Sequence, residues 1–324
     1  MMMYGPYIKC HGSKNDFFIV DERKYSIKWN ENQRKEAALT LCDRTHSYGG
    51  ADGILFVTES TVADAKYRVI NADGSEASMC GNGLRCVARY VCEELGKESV
   101  VIETMKANLT CRKHEDISEG VETYGVEISP IVFDNDALPF NYKPSPFIQQ
   151  PIDKLSKNLL FSAVAVPNPH LITFVDQEEL NSNLQKEISE YVNGQNPLFP
   201  DGVNVSFVRV LSNNKLFVRT YERGVGFTNA CGTAMSATVF VATVAKKVVP
   251  NTPITVITDK GMVQCLAHTS ENPWVELIGN ATFTSKGQWT YEEGKWEINQ
   301  ATSCEFDIKQ YDNLEKKAAV LNIG

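Results

Sequence analysis

The sequence has little of what marks membrane, secreted or nucleic-acid-binding proteins. No apolar run among its 324 residues approaches the roughly 18 residues that a membrane helix needs. Its first residues show no basic segment followed by an apolar one, so we expect no secretion signal. The formal net charge of −8 argues against binding to nucleic acid or to an anionic membrane, since both require clustered Lys and Arg. A cytoplasmic globular protein is therefore expected.

Metal and disulfide patterns are also lacking. The nine cysteines are an odd number and include no CxxC pair, and the five histidines are scattered. Cys80, Cys86 and Cys92 are six residues apart, too far around a helix to share one metal ion. We expect reduced thiols, no disulfide framework and no bound metal. Seven cysteines are expected to be structural, namely Cys10, Cys42, Cys86, Cys92, Cys111, Cys265 and Cys304.

One pattern, by contrast, occurs twice. In each copy a strand-like run leads through a polar turn into Cys-Gly, first at Cys80 and again at Cys231. Apolar residues at helical spacing follow Cys80, and Gly96 suits the position after a helix end. Residues 233–245 are apolar or small on nearly every side, which is typical of a helix buried all round. Each cysteine is thus predicted to lie at a helix N-terminus.

Polar residues upstream of the two cysteines are also in register. Counted back from Cys80 and Cys231, the pairs are Asn71 and Glu222 at 9 residues, Gly53 and Asn204 at 27, and Asn15 and Asn168 at 65 and 63. Three such coincidences indicate a duplicated unit. We therefore expect an α+β protein of two similar lobes related by a pseudo-twofold axis, with a ligand cleft between them.

The expected boundaries follow from proline content and polarity. Residues 1–129 would form the N-terminal lobe, completed by a strand from about 275–283, and residues 160–274 the C-terminal lobe. Residues 130–159 contain five prolines and would connect the lobes. Residues 285–324 would be a polar extension whose charges form a solvated face. Further helices are expected near residues 32–42 and 178–192.

Two matched thiols suggest an acid and a base. Unpaired N–H groups and the dipole at a helix N-terminus should lower a thiol pKa from about 8.5 toward neutrality. If one cysteine is a thiolate and the other a thiol, a carbon between them can lose a proton on one face and gain one on the other. Such a pair inverts a stereocentre in both directions, and its titration belongs to the pair.

The reaction also needs groups that bind a zwitterionic substrate. N–H groups after the cysteines, at Gly81, Asn82, Gly232 and Thr233, are suited to meet charge that develops on a carboxylate. The asparagines Asn15, Asn71, Asn168 and Asn204 would hold the ammonium and carboxylate groups. Arg223 would clamp a carboxylate, and Glu222 would pair with an ammonium. No pyridoxal phosphate or other cofactor is required.

These segments resemble the diaminopimelate epimerase family of cofactor-independent amino-acid racemases. The matching segments are His11-Gly-Ser-Lys-Asn-Asp-Phe17, Asn71-Ala-Asp-Gly-Ser75, Cys80-Gly-Asn-Gly-Leu-Arg85, Asn168-Pro-His170, Val203-Asn204, Tyr221-Glu-Arg-Gly224 and Ala230-Cys-Gly-Thr233. The resemblance implies two lobes, each a barrel-like mixed β-sheet around a central α-helix, and a homodimer. It implies interconversion of LL- and meso-2,6-diaminopimelate for lysine and peptidoglycan precursor synthesis. Cys80 and Cys231 take the catalytic positions, and His170 and Glu222 those of supporting polar groups.

Two departures from the family pattern and three alternatives stand beside this interpretation. Some members carry glutamine where Gly53 stands, and Ser13-Lys14 replaces a glycine-containing pair, which would alter the loop before Asn15.

One alternative is a racemase for another amino acid such as histidine or proline, although Asn82 replaces the histidine of proline racemases. The phenazine-biosynthesis-like isomerases share the fold but lack the cysteine pair. A non-catalytic amino-acid-binding or thiol-redox protein would bind substrate without exchanging its α-proton.

Overall fold

A computed structural model describes residues 3–24, 29–46, 49–134, 138–228, 230–259 and 261–323. The strands are β1 Met3–Gly12, β2 Asn15–Asp21, β3 Gly53–Thr58, β4 Ala65–Asn71, β5 Glu76–Ala77, β6 Ser99–Glu103, β7 Asn108–Lys113, β8 Thr123–Ile128, β9 Gln150–Ile152, β10 Ser156–Val166, β11 Asn168–Phe174, β12 Asn204–Ser212, β13 Lys215–Glu222, β14 Gly226–Thr228, β15 Ile254–Thr258, β16 Gly261–His268, β17 Trp274–Asn280, β18 Thr282–Glu292 and β19 Lys295–Ser303. The α-helices are α1 Glu31–Leu41, α2 Gly81–Leu95, α3 Gln177–Asn181, α4 Leu184–Asn193, α5 Gly232–Val244 and α6 Glu305–Ile323.

The chain forms two compact units. The first consists of Met1–Val126 and Gly279–Leu314, and the second of Glu127–Ile278 and Glu315–Gly324. Within the described ranges, no helix combines the length and apolar character needed to cross a membrane.

The first unit is a mixed sheet wrapped around one helix. Its strand order is β19-β18-β1-β2-β3-β4-β6-β7-β8, antiparallel except for the parallel pairs β2–β3 and β4–β6. Helix α2 contacts β1, β2, β3, β4, β6 and β7, so it lies across the inner face of this sheet. Its apolar residues Leu84, Val87, Ala88 and Val91 are fully buried because the sheet surrounds them on several sides.

The second unit repeats this arrangement. Its order is β9-β10-β11-β12-β13-β15-β16-β17, with the parallel pairs β11–β12 and β13–β15. Helix α5 contacts β10, β11, β12, β13, β15 and β16. Strands β10 to β17 thus follow the order and directions of β1 to β8, with α5 in the place of α2. The predicted duplication of an α+β unit is confirmed.

The register of the sheets also agrees with the spacing found in the sequence. Phe17 is paired with Gly53 between β2 and β3, and His170 with Asn204 between β11 and β12. Gly53 and Asn204 are therefore equivalent positions, as their common spacing from the cysteines predicts.

The turns that precede Asn15 and Asn168 differ in length. Gly12 pairs with Asn15 across a two-residue turn, whereas Val166 pairs with Asn168 across a single residue. Ser13 and Lys14 have φ values of 53° and 64°, both left-handed. Such a two-residue hairpin turn usually carries asparagine or glycine. Ser13 and Lys14 therefore form a tight turn, but their left-handed conformation must be stabilised by contacts with neighbouring residues.

The tail has regular secondary structure that its polar sequence does not indicate. Residues after 285 form most of β18, all of β19 and α6. Trp289 and Trp296 are only 1% and 5% exposed, and their ring centroids lie 4.9 and 4.4 Å from that of Trp29. The aromatic rings bury apolar surface on one side of this hairpin, whereas charged residues of the tail such as Lys286, Lys295 and Glu297 are exposed, as predicted.

Two other segments also differ from expectation. The helix expected over residues 178–192 is divided into α3 and α4, because Ser182 leaves the helical region with ψ 173°. The predicted connection carries β9 and the first residues of β10, while its residues 135–137 lie outside the described part of the chain.

Candidate active site

Cys80 occupies the N-cap of α2, as predicted. Its backbone is extended, with φ −135° and ψ 113°, and its side chain makes no capping hydrogen bond. The sulfur instead donates to Oδ1 of Asn15 over 3.4 Å. The hydroxyl of Tyr67 accepts the Cys80 N–H at 2.9 Å and donates to the Cys80 carbonyl at 3.0 Å. The direction of the thiol is therefore set by both β4 and the turn before β2.

Asn15 is oriented by a second group of polar contacts. Its Nδ2 donates to Oδ2 of Asp52 at 2.6 Å, and its Oδ1 also accepts from Nδ2 of Asn82 at 3.4 Å. Asp52 in turn accepts from Arg44 at 2.7 Å. We call Asn15, Cys80 and Asn82, with the groups that hold them, the first cysteine site.

A buried guanidinium lies behind this site. Arg85 donates through Nη2 to Asn82 Oδ1 at 3.0 Å and to Ser13 Oγ at 3.1 Å, and through Nε to the Asn280 carbonyl at 3.1 Å. At Gly12, a Cβ atom would lie 2.7 Å from the carbonyl oxygen of Asn82. Glycine at this position therefore lets β1 approach the N-terminus of α2 closely.

Asn71 lies at the end of β4, where its side chain bonds to the turn that follows. It pairs with Gly53 in the β3–β4 register, and its Nδ2 donates to Ser75 Oγ at 3.0 Å. A Cβ on Gly53 would lie 2.6 Å from the carbonyl oxygen of Ile70. The position is therefore closed to a larger side chain while the strands keep this spacing.

Cys231 occupies the equivalent N-cap of α5, with φ −115° and ψ 108°. Its sulfur lies 3.4 Å from Oγ1 of Thr233. The carboxylate of Glu222 is close enough to the Cys231 thiol to raise its pKa. It also accepts a short hydrogen bond from the Thr228 hydroxyl. Cys231, Glu222 and Thr233 form the second cysteine site.

The other residues predicted in the second unit form two hydrogen-bonded pairs. Nε2 of His170 lies 3.0 Å from Oδ1 of Asn168, and Oδ1 of Asn204 accepts the backbone N–H of Arg223 at 2.8 Å. The Arg223 guanidinium donates to the Asp201 carbonyl at 2.8 Å. Burial and the charge of Arg223 lower the pKa of His170 to about 3, so its imidazole is neutral at pH 7.

The thiol pKa values differ from the sequence-based expectation. Burial raises the pKa of the Cys80 thiol above its ordinary value, although the N–H groups of Gly83 and Asn82 and the charge of Arg85 oppose it. Burial and the negative charge of Glu222 raise the pKa of the Cys231 thiol well above its ordinary value. Desolvation disfavours a thiolate more than a helix N-terminus favours it here, so the prediction of lowered pKa values is wrong.

Sequence reasoning missed Tyr67, Asp52 and the bonding role of Arg85. Tyr67 looks like an ordinary strand residue, and only its buried hydroxyl shows that it needs a polar partner. Arg85 belongs to the Cys80–Arg85 segment that resembles the family, but its complete burial cannot be inferred from residue spacing. No group of three or more His, Cys, Asp or Glu side chains that could hold a metal occurs in the part of the chain that the structure describes.

Comparisons with known proteins identify the family. The diaminopimelate epimerase family model matches residues 7–127 and 162–284, which contain both cysteine sites. The chain belongs to the diaminopimelate epimerase family. The diaminopimelate epimerase of Listeria innocua is 49% identical over 318 residues, covering 96% of each chain. That of Enterococcus faecalis is 50% identical over 281 residues, covering 85% of this chain and 86% of the relative.

Solved structures place this diaminopimelate epimerase family member in a wider fold group. A phenazine biosynthesis protein of the PhzF family from Bacillus anthracis is 17% identical, with a TM-score of 0.61 over 88% of this chain and 99% of that protein. A hydroxyproline epimerase from Agrobacterium vitis is 14% identical, with a TM-score of 0.54 over 89% and 91%. At these identities the likeness concerns the fold alone, and it confirms the predicted fold class.

Proposed function

We propose that this protein is an isomerase that interconverts LL- and meso-2,6-diaminopimelate, a step of lysine and peptidoglycan precursor synthesis. The observation that carries the proposal is the duplication, because each repeat presents a cysteine at the same helix N-cap. Relatives about half identical over nearly the whole chain are named diaminopimelate epimerase, which supports this substrate.

The proposed reaction uses Cys80 and Cys231 as a base and an acid. The thiolate of one takes the proton from the α-carbon, and the electron pair left behind is delocalised into the α-carboxylate. The thiol of the other gives its proton to the opposite face of the same carbon. The two cysteines exchange protonation states in each turnover, so the enzyme works in both directions.

Helix N-termini would stabilise the negative charge of this reaction. The N–H groups of Asn82 and Gly83 already favour the anionic form of Cys80, and that of Ala234 favours the anionic form of Cys231. Gly81, Asn82, Gly232 and Thr233 are proposed to donate to the substrate carboxylate as its charge grows. Preorganised donors of this kind cost no rearrangement during the reaction.

The polar side chains predicted from the sequence are proposed to bind the charged groups of the substrate. Asn15, Asn71, Asn168 and Asn204 are assigned to the ammonium and carboxylate groups, with Glu222 on an ammonium and Arg223 on a carboxylate. His170 is assigned a supporting role. Its pKa of about 3 makes it neutral, and its Nδ1 has no hydrogen-bond partner among the described residues. A neutral Nδ1 can accept a hydrogen bond from an N–H donor.

The resemblance also supports a homodimer that works in the cytoplasm without a cofactor. Light scattering of the purified protein tests the oligomeric state, for which about twice the 36.1 kDa mass of one chain is expected. A mass of one chain at working concentration would reject the dimer.

One assay tests the proposed function directly. Reduced protein without added cofactor is incubated with LL-diaminopimelate in deuterated water, and α-deuterium and the meso isomer are followed together. Both should increase, and the deuterium should enter at the inverted α-carbon.

Other outcomes of the same assay would select the alternatives. No deuterium incorporation by reduced protein would reject the epimerase function and favour binding alone. Exchange with histidine or proline, but not with diaminopimelate, would favour a related racemase.

A further inference from the structure

The C-terminal helix packs against the turn that precedes Asn15. The Tyr311 side chain on α6 is 2% exposed, and its ring centroid lies 4.4 Å from that of His11 at an interplanar angle of 78°. Nζ of Lys14 lies 4.9 Å from the centre of the Tyr311 ring and 4.0 Å from the carboxylate of Asp312. Tyr311 thus packs against Lys14 of the turn and against His11, which lies just before it.

This turn has a backbone conformation that its residues do not favour. Ser13 and Lys14 are both left-handed, a conformation that costs a non-glycine residue about 1 kcal/mol or more. Both N–H groups of the turn are bonded: that of Ser13 donates to Asn280 Oδ1 at 2.8 Å, and that of Lys14 donates to His11 Nδ1 at 3.3 Å. The ring of Tyr311 fixes the imidazole that accepts the second bond.

The position of the turn decides where the Asn15 amide lies. Asn15 is the first residue after the turn, and its Oδ1 accepts the thiol hydrogen bond of Cys80. Burial lowers the pKa of His11 to about 3, so Nδ1 stays an uncharged acceptor at any pH at which the enzyme is assayed. A continuous set of contacts therefore runs from α6 through His11 and Lys14 to the first cysteine site.

We propose that Tyr311 is a positioning residue for Cys80, acting through His11 and the Ser13-Lys14 turn on the Asn15 amide. The inference deepens the proposed function, on which its catalytic consequence rests. It gives the C-terminal tail a role in the reaction although none of its residues is assigned to the substrate. A carbonyl oxygen that accepts from a thiol favours the protonated form, so Tyr311 also influences the ionisation of Cys80.

The test compares Tyr311→Leu, which removes the aromatic ring, with Tyr311→Phe, which keeps it. Turnover, melting temperature and the pH profile of Cys80 alkylation by iodoacetamide are measured, the last by mass spectrometry of the Cys80 peptide. Tyr311→Leu should lower kcat by about 10-fold to 100-fold, since small displacements of catalytic groups have effects of this size. Its alkylation midpoint should move to lower pH by about 0.5–1 unit, the equivalent of one hydrogen bond.

Two comparisons separate positioning from general stability. Leu314→Ala removes a fully buried side chain from the same helix, so it should lower the melting temperature without moving the alkylation midpoint. Tyr311→Phe should restore both kcat and the midpoint. Equal losses of kcat and unchanged midpoints in Tyr311→Leu and Leu314→Ala would overturn the proposal.

The alkylation profile needs no substrate, which keeps this inference distinguishable from the proposed function. A midpoint shift in Tyr311→Leu combined with no epimerase activity in the unaltered protein would reject the proposed function and support the positioning. Normal epimerase activity in Tyr311→Leu with an unshifted midpoint would reject the positioning alone.

Discussion

The hydroxyl of Tyr67 binds both backbone groups of Cys80, accepting its N–H at 2.9 Å and donating to its carbonyl oxygen at 3.0 Å. The same carbonyl accepts the Leu84 N–H of the first helical turn at 2.8 Å. One side chain thus ties a strand of the sheet to the N-cap of the central helix. In the second repeat the position 13 residues before the cysteine is Val218, which has no hydroxyl. The two cysteines are therefore held differently.

Tyr67→Phe should impair both stability and turnover. The substitution keeps the ring but leaves a buried N–H at Cys80 without its acceptor, at a cost of about 1–3 kcal/mol. The Cys80 sulfur should then lose its fixed direction, so kcat should fall more than KM changes. Urea unfolding gives the stability loss, and initial rates with diaminopimelate give the kinetic constants.

Tyr90→Phe is a matched control. It removes a phenol on α2 that donates to Asp21 at 2.8 Å, away from the N-cap. It should lower stability by a comparable amount and leave kcat unchanged. If both variants kept full activity, Tyr67 would have no positioning role.

Substitution of the two N-cap cysteines should abolish turnover. Cys80→Ala and Cys231→Ala each remove a proton donor or acceptor that the proposed mechanism cannot replace. Each rate should fall by at least about 1,000-fold, with exchange of the α-proton lost as well. Cys265→Ala changes a fully buried cysteine of β16 and should keep most of the activity. Equal loss in all three variants would indicate a folding defect instead.

Much of this architecture follows from the sequence because it depends on local signals. Glycines and apolar spacing place α2 and α5 with Cys80 and Cys231 at their N-caps, and the structure agrees within a residue. The equal spacing of Gly53 and Asn204 predicts their equivalent places in the two sheets. These features depend on backbone periodicity, which a sequence shows directly.

Features that depend on distant contacts could not be predicted in this way. The interaction of Tyr67 with Cys80 and the packing of Trp29 on Trp289 join residues that only the folded chain brings together. The thiol pKa values also depend on burial, and sequence alone gave only the opposing effect of the helix N-terminus. The charged sequence of the tail does not indicate that β18 and β19 form an amphipathic hairpin, in which Trp289 and Trp296 are buried in the core.

The raised pKa values predict a distinct order of thiol reactivity. Only the thiolate is alkylated, so each labelling rate should increase with pH through the pKa of its own cysteine. Cys80 should react slowly at pH 7 and reach its midpoint above about 8.5, the value of a free thiol. Cys231 should need still higher pH, because the Glu222 carboxylate adds to the effect of burial.

Iodoacetamide labelling followed by peptide mass spectrometry measures both profiles in one experiment. Glu222→Gln serves as the comparison, since it removes the negative charge and should move the Cys231 midpoint to lower pH. The Cys80 profile should stay in place as an internal reference. A midpoint below 8.5 for either cysteine would show that the helix N-terminus outweighs desolvation.

Gly53 should tolerate no side chain, because the strands around it leave no room for a Cβ atom. In Gly53→Ala the new Cβ would lie 2.6 Å from the Ile70 carbonyl oxygen and 3.2 Å from Cα of Asn71, so β3 and β4 must separate. Urea unfolding should show a loss of about 1–3 kcal/mol, and KM should rise because Asn71 moves. Gly96→Ala adds a Cβ with nothing within 4 Å and should cost about 1 kcal/mol through its φ of 63°, with normal KM. Unchanged stability and KM in Gly53→Ala would show that these strands can separate freely, and a glutamine there would then be compatible with this fold.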